Sequence, residues 1–159
     1  MTKLRDLGRL AGVVARELYR DAVRNDLEIT GPVYWIYLNI SGDENKPFVL
    51  EIALPVSEIP ARYSGRFELK RSETFYSISL IHTGTWYDMP ESYGRLFRFV
   101  AEKKLETVAQ NREIYINMDF INPTANVTEI QAGISQKSFE SLMQISDDVK
   151  VGNMQFSLV

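Results

Sequence analysis

An α+β fold, with an antiparallel sheet packed beneath two long helices, is the architecture this sequence predicts. Three observations carry it. The order helix, strand, strand runs twice along the chain. Short motifs recur in that order: Tyr37-Leu38-Asn39 returns as Tyr115-Ile116-Asn117, and Val49-x-Glu51-Ile52 with Ser57 returns as Val127-x-Glu129-Ile130 with Ser135, both at one common offset. Gly8-Arg9-Leu10 and Gly94-Arg95-Leu96 echo each other in helical text at a slightly larger offset, and insertions are tolerated best between elements. Each copy alone would leave an apolar sheet face uncovered, so the two are expected to build a single domain over 1–159. Repeat 1 spans about 4–57, repeat 2 about 65–135, and the tail 136–159 is expected to complete the sheet. The join between the copies is the natural place for a ligand pocket.

From Leu4 to Val23 apolar residues fall at Leu4, Leu7, Ala11, Val14, Ala15, Leu18, Ala22 and Val23, with arginines on the other side. That spacing predicts an amphipathic helix ending near Asn25-Asp26. Gly31-Pro32 opens a strand over Val33 to Ile40, Ser41 to Pro47 is a turn by composition, and Phe48 to Val56 reads as the return strand. The second copy begins with strand text at Phe67 to Lys70 and Phe75 to His82, closed by Thr83-Gly84. Asp88 as N-cap, Pro90 in the first turn and Glu91 announce a helix running to about Lys104, with Tyr93, Leu96, Phe97, Val100 and Ala101 on one side. Glu113 to Met118 and Val127 to Ile134 are the paired strands that follow. In the tail, Gly152-Asn153 predicts a tight hairpin that would supply the strand missing before the first helix.

Composition narrows the chemistry. The 159 residues are 45% hydrophobic and 25% charged, as in an ordinary globular domain with a real core. A net charge of −3 without a dense Lys/Arg stripe argues against a polyanion-binding surface. The absence of cysteine excludes disulfides, thiol catalysis and Cys-ligated metal, and one histidine excludes a multi-histidine metal site. Neither a metal nor another cofactor is expected. The segment Met1 to Asp6 lacks the apolar stretch of a signal peptide, and no run approaches the ~20 apolar residues of a membrane span, so a cytoplasmic protein is expected.

Period-two alternation divides the strands into two faces. Tyr34, Ile36, Leu38, Phe48, Leu50, Ile52, Leu54, Ile114, Ile116, Met118, Ile130, Ala132 and Ile134 form an apolar set expected under the helices. The opposite set is Trp35, Tyr37, Asn39, Glu51, Glu113, Tyr115, Asn117, Glu129 and Gln131. Rings mixed with carboxylates suit a concave site for a flat or cationic organic molecule, because rings offer dispersion and cation–π attraction and a carboxylate fixes a positive charge.

Phe75 to His82 with Thr83-Gly84-Thr85-Trp86-Tyr87, then Tyr93-Gly94-Arg95-Leu96, Glu113 to Asn117 and Val127 to Gln131 resemble the GyrI-like small-molecule-binding domain, the effector-binding module of many bacterial AraC-type and MerR-type regulators. The likeness covers about residues 75–135 and, more weakly, 8–57, and lies in the order and spacing of short motifs. It implies a duplicated β-α-β-β unit whose antiparallel sheet forms a half-barrel covered on one face by two long helices. It also implies a central pocket with a glutamate of the last strand, here Glu129, meeting cationic aromatic ligands, and a tyrosine of the preceding strand, here Tyr115. The chain departs from the family in opening almost at once with the helix, and no helix-turn-helix segment precedes the domain, so a stand-alone binder rather than a DNA-binding regulator is expected.

The expected ligand-binding residues are therefore Glu129, Tyr115, Tyr37 and Trp35, with no catalytic residue assigned. Each has a plainer reading: Glu129 as a surface carboxylate paired with a lysine, the aromatics as ordinary strand formers. Glu51, the repeat-1 counterpart of Glu129, is expected to be exposed, and His82 to be structural. The function expected is capture of a small amphipathic or cationic aromatic molecule between the repeats. One alternative is a hydrolase of small electrophiles using Glu129 as base and Tyr115 as donor. Another is an interaction protein acting on DNA gyrase, as the family's namesake does.

Overall fold

The computed structural model describes residues 4–39, 48–145 and 154–158, and the side chains of 12–39 and 48–144. Its elements run α1 (Leu4–Arg24), β1 (Tyr34–Leu38), β2 (Val49–Ala53), β3 (Tyr76–Thr83), α2 (Met89–Glu102), β4 (Thr107–Asn117), β5 (Val127–Ile134), α3 (Gln136–Ile145) and β6 (Met154–Leu158). The class is α+β. The strands form one sheet in the order β2-β1-β4-β5-β3-β6, every neighbouring pair antiparallel. The expected turn at Ser41 to Pro47 and the hairpin at Gly152-Asn153 lie outside the described residues.

Both long helices stop in the same way. At the end of α1, Asp26 takes a left-handed φ of 53°, Leu27 N–H donates to Ala22 O and Asp26 N–H to Val23 O. At the end of α2, Lys104 does the same at φ 53°, with Leu105 donating to Val100 O and Lys104 to Ala101 O. These are Schellman closures that satisfy carbonyls the helix leaves open. The start of α2 differs from the sequence reading. Asp88 makes no side-chain cap bond and is itself helical, in a 3-10 turn over Trp86–Asp88. The chain leaves extended geometry at Thr85, whose hydroxyl donates to Asp88 Oδ2 at 2.8 Å, just after Gly84 at φ 122°.

Three further expectations are corrected. Phe67 to Lys70 is not a strand: from 57 to 75 the chain has no regular structure and is fastened to α1 instead. Asp21 accepts from Tyr63 Oη and from Arg66 N (3.3 Å), and Arg66 pairs with Glu17 at 3.5 Å. The tail contains α3, which the sequence reading lacked; Ser135 Oγ caps it by accepting from Ser138 N at 3.2 Å. Finally β6 lies beside β3, at the opposite end of the sheet from β2.

Pairing register sorts the faces differently from the alternation argument. Trp35 stands opposite Ile52 and Glu113, Glu113 opposite Ile130, and Ile130 opposite Leu80, so all five share a face. That face is the one under the helices, since Leu80, Ile130, Ile78, Ala132 and Ile134 pack with Leu96, Phe99 and Val100 of α2 and Leu142 of α3. β2 and β5 turn the expected residues to the helices, whereas β1 and β4 are reversed. Tyr34, Ile36 and Ile114 share the far face with Glu51, Arg112, Glu129 and Gln131. In β1 and β4 both sides are apolar enough to bury, so alternation cannot choose between them and a one-residue change of register exchanges the faces.

Two clusters rest on the helix side. One joins α2 and α3 to β3 and β5. The other is Ala15 of α1, Val33 and Tyr115, with Trp35 and Ile52 against it. Trp86 packs against both.

Candidate functional site

Where the two clusters meet, β4 turns a carboxylate toward the helices. Glu113 is 6% exposed and accepts three phenol hydroxyls: Tyr37 Oη (2.8 Å) and Tyr115 Oη (2.7 Å) on Oε2, and Tyr93 Oη (2.8 Å) on Oε1. The local structure explains the convergence. Glu113 and Tyr115 are two apart on one strand and so share a face. Tyr37 reaches them from the adjacent β1, and Tyr93 from the first turns of α2, which packs on the same side of the sheet against β3 and β5. Trp35 faces Glu113 directly across the β1–β4 ladder.

The electrostatics are unusual for an interior. Burial raises the pKa of Tyr37, Tyr93 and Tyr115 far above the ordinary phenol value, and the Glu113 charge and its hydrogen bonds raise them further. All three are neutral donors at any physiological pH. Hydrogen bonds to a charged acceptor contribute roughly 1.5–3 kcal/mol each, enough together to offset the several kcal/mol of desolvating one carboxylate. They satisfy its oxygens without cancelling its charge. Among the described residues no basic side chain forms an ion pair with Glu113; the three ion pairs are Arg20–Glu17, Arg66–Glu17 and Lys70–Glu51.

Aromatic rings surround this charge. Trp35 lies 5.1 Å from Tyr115 between centroids, Trp86 meets Tyr115 edge-on at 5.7 Å, and Phe120 meets Trp86 edge-on at 5.7 Å. Phe48 rests on Tyr37 at 5.9 Å and Phe97 stacks on Tyr93 at 6.1 Å. Exposure grows outward along each chain of rings, from 7% at Tyr115 to 71% at Phe120 and 39% at both Phe48 and Phe97. The buried Nε1–H of Trp86 has no partner among the described residues.

Of the residues expected at a site, the structure brings Tyr37, Tyr115 and Trp35 together and leaves Glu129 out. Glu129 stands opposite Ile114 and Ile81 on the far face, half-buried, and accepts from Gln131 Nε2 at 3.0 Å. A hydrolytic pair of Glu129 and Tyr115 is therefore divided by the sheet. Glu51 pairs with Lys70 at 2.6 Å. His82 joins β3 to α2, its Nδ1 2.9 Å from Ser92 Oγ and its Nε2 2.9 Å from Thr85 O. Since a carbonyl only accepts, Nε2 donates to Thr85 O. Glu113 and Tyr93 were missed as site residues. A signal existed for Glu113, two residues before Tyr115 on one strand. None distinguished Tyr93 from its neighbours on the helix's apolar side.

Among the described residues no group of three or more acidic, histidine or cysteine side chains could hold a metal ion, and no helix is long and apolar enough to cross a membrane. No family model and no curated protein matches the chain.

Proposed function

We propose that this protein binds a small cationic aromatic molecule, as a GyrI-like domain built from two related units, α1-β1-β2 and β3-α2-β4-β5, whose sheet curves into a half-barrel. The ligand lies between the two helix-packed clusters. Glu113, not Glu129, supplies the negative charge, and Tyr37, Tyr93, Tyr115 and Trp35 line its surroundings. The single observation that carries the reading is a buried carboxylate whose three hydrogen bonds all come from neutral phenols. A cation is the missing complement, and rings around it add cation–π attraction of about 0.5–2 kcal/mol each, depending on desolvation. The outward-exposed Phe48, Phe97 and Phe120 support an approach from solvent between aromatic walls.

The test compares a naphthylmethyl trimethylammonium ion with its neutral carbon isostere, the neopentyl naphthalene. At about 5 Å a unit charge pair contributes roughly 1–3 kcal/mol between aqueous and protein-surface dielectric constants. Glu113→Gln should therefore weaken the cation by about 5- to 150-fold and the isostere by little. Glu129→Gln should leave both nearly unchanged. Equal losses for cation and isostere in Glu113→Gln, or a selective loss in Glu129→Gln, would overturn the assignment.

A further inference from the structure

The way the phenols occupy Glu113 restricts which cation fits. A carboxylate offers about four acceptor positions, two on each oxygen. Tyr37 and Tyr115 both donate to Oε2, while Tyr93 alone donates to Oε1. Oε2 is thus filled, and one position remains, on Oε1. Resting on the binding role proposed above, we infer that the site selects head groups with one N–H donor or none, tertiary or quaternary ammonium, and discriminates against guanidinium.

The reason is geometric. A guanidinium pairs with a carboxylate through two parallel N–H···O bonds, one to each oxygen. Here the second bond requires expelling the hydroxyl of Tyr37 or Tyr115, leaving a phenol donor unpaired in a desolvated setting. Tyr115 is 7% exposed, with rings on two sides, so it has nowhere to turn. A tertiary ammonium gives its one N–H to the open position on Oε1. A quaternary ammonium needs no position and relies on charge and the surrounding ring faces. A primary ammonium falls between, because two of its three N–H groups meet aromatic walls. The selectivity is thus set by which oxygen each tyrosine holds, not by the net charge of the site.

The arrangement also predicts how to relax it. Tyr37→Phe frees a position on Oε2 and leaves the one on Oε1, so each oxygen can receive one arm of a guanidinium. Tyr93→Phe frees a second position on Oε1 while Oε2 stays filled, so the fork is still refused. These two variants each remove one hydroxyl from the same carboxylate, yet they should differ in outcome.

The experiment measures dissociation constants for four naphthylmethyl ligands, carrying trimethylammonium, dimethylamine, guanidine and the neutral tert-butyl group, by anisotropy of naphthalene fluorescence. In the unaltered protein the dimethylamine and trimethylammonium ligands should bind about tenfold or more tighter than the guanidine, the equivalent of one well-made charged hydrogen bond. In Tyr37→Phe the guanidine should gain about tenfold on the amine, and in Tyr93→Phe it should not. If no cation outbinds the neutral ligand, the binding role itself is wrong. If cations outbind it but guanidine matches the amine in the unaltered protein, the role stands and the acceptor count is refuted. Equal gains of guanidine in both variants refute the count as well. Should either variant fail to fold, the four ligands on the unaltered protein still decide.

Discussion

Alkaline pH should unfold this protein steeply, with a slope that counts the tyrosines around Glu113. Tyr37, Tyr93 and Tyr115 are held protonated by burial first and by the Glu113 charge second, with folded-state pKa values far above 10. In the unfolded chain each ionises near pH 10. Above that value the unfolded state binds fewer protons than the folded one, so stability falls as pH rises and is intact below about pH 10. Each phenol contributes about 1.4 kcal/mol per pH unit, or about 4 kcal/mol per unit for the three. A domain with about 5 kcal/mol of stability would therefore unfold a little above pH 11. Tyr34, half-buried and likewise raised by burial, adds a smaller share. Urea unfolding followed by circular dichroism between about pH 9 and pH 12 gives the slope. Tyr93→Phe should lower it by about 1.4 kcal/mol per unit. An unchanged slope in that variant, or tyrosinate absorbance showing all eight tyrosines ionising near pH 10 in the folded protein, would refute the reasoning.

Other perturbations test the frame that holds the site. Gly133→Ala places a methyl group 2.5 Å from the Gln110 carbonyl oxygen and 2.8 Å from Phe75 Cε2; backbone must yield, and a loss of about 1–3 kcal/mol in thermal or urea unfolding is expected. Asp21→Asn removes the charged acceptor shared by Tyr63 and Arg66. It should cost about 1–3 kcal/mol and speed tryptic cleavage after Arg66, and an unchanged cleavage rate would show that the 57–75 segment is held by other contacts. Leu96→Ala, at a fully buried position of α2, should cost about 2–5 kcal/mol, measured by the same unfolding curves.

Much of the architecture was legible because local chemistry and tertiary packing agree. Apolar spacing marks α1 and α2, although in α2 Phe99 turns inward beside Leu96 and Val100 while Phe97 and Ala101, expected on that side, are exposed; in β2 and β5 alternation puts Ile52, Ile130, Ala132 and Ile134 on the helix side as expected. The faces of β1 and β4 were not legible. Tyr34-Trp35-Ile36-Tyr37-Leu38 and Ile114-Tyr115-Ile116 carry large apolar side chains at every position, so only pairing with neighbours sets which side is up. That ambiguity hid a separation: Glu129, assigned to a pocket by the family resemblance, joins Tyr37 and Tyr115 only if all four strands share one phase, and here the sheet divides them. Tyr93 could not be found from sequence, because its hydrogen bond to Glu113 depends on how α2 packs on the sheet. α3 was missed although Ser135 and the Phe139, Leu142 spacing signal it, since a ten-residue helix with a single strong apolar pair is a faint pattern. Phe67 to Lys70 alternates like a strand but finds no partner strand, and strand propensity without pairing leaves only an extended segment.

A crystal structure with the naphthylmethyl trimethylammonium ion bound addresses the central assignment most directly. The ion's nitrogen is expected on the helix side of the sheet, within about 6 Å of the rings of Tyr37, Tyr93 or Tyr115 and beside Glu113 Oε1, with all three hydroxyls still on the carboxylate. A ligand seated on the opposite face beside Glu129, or a Glu113 carboxylate abandoned by its tyrosines while the cation binds elsewhere, would contradict it.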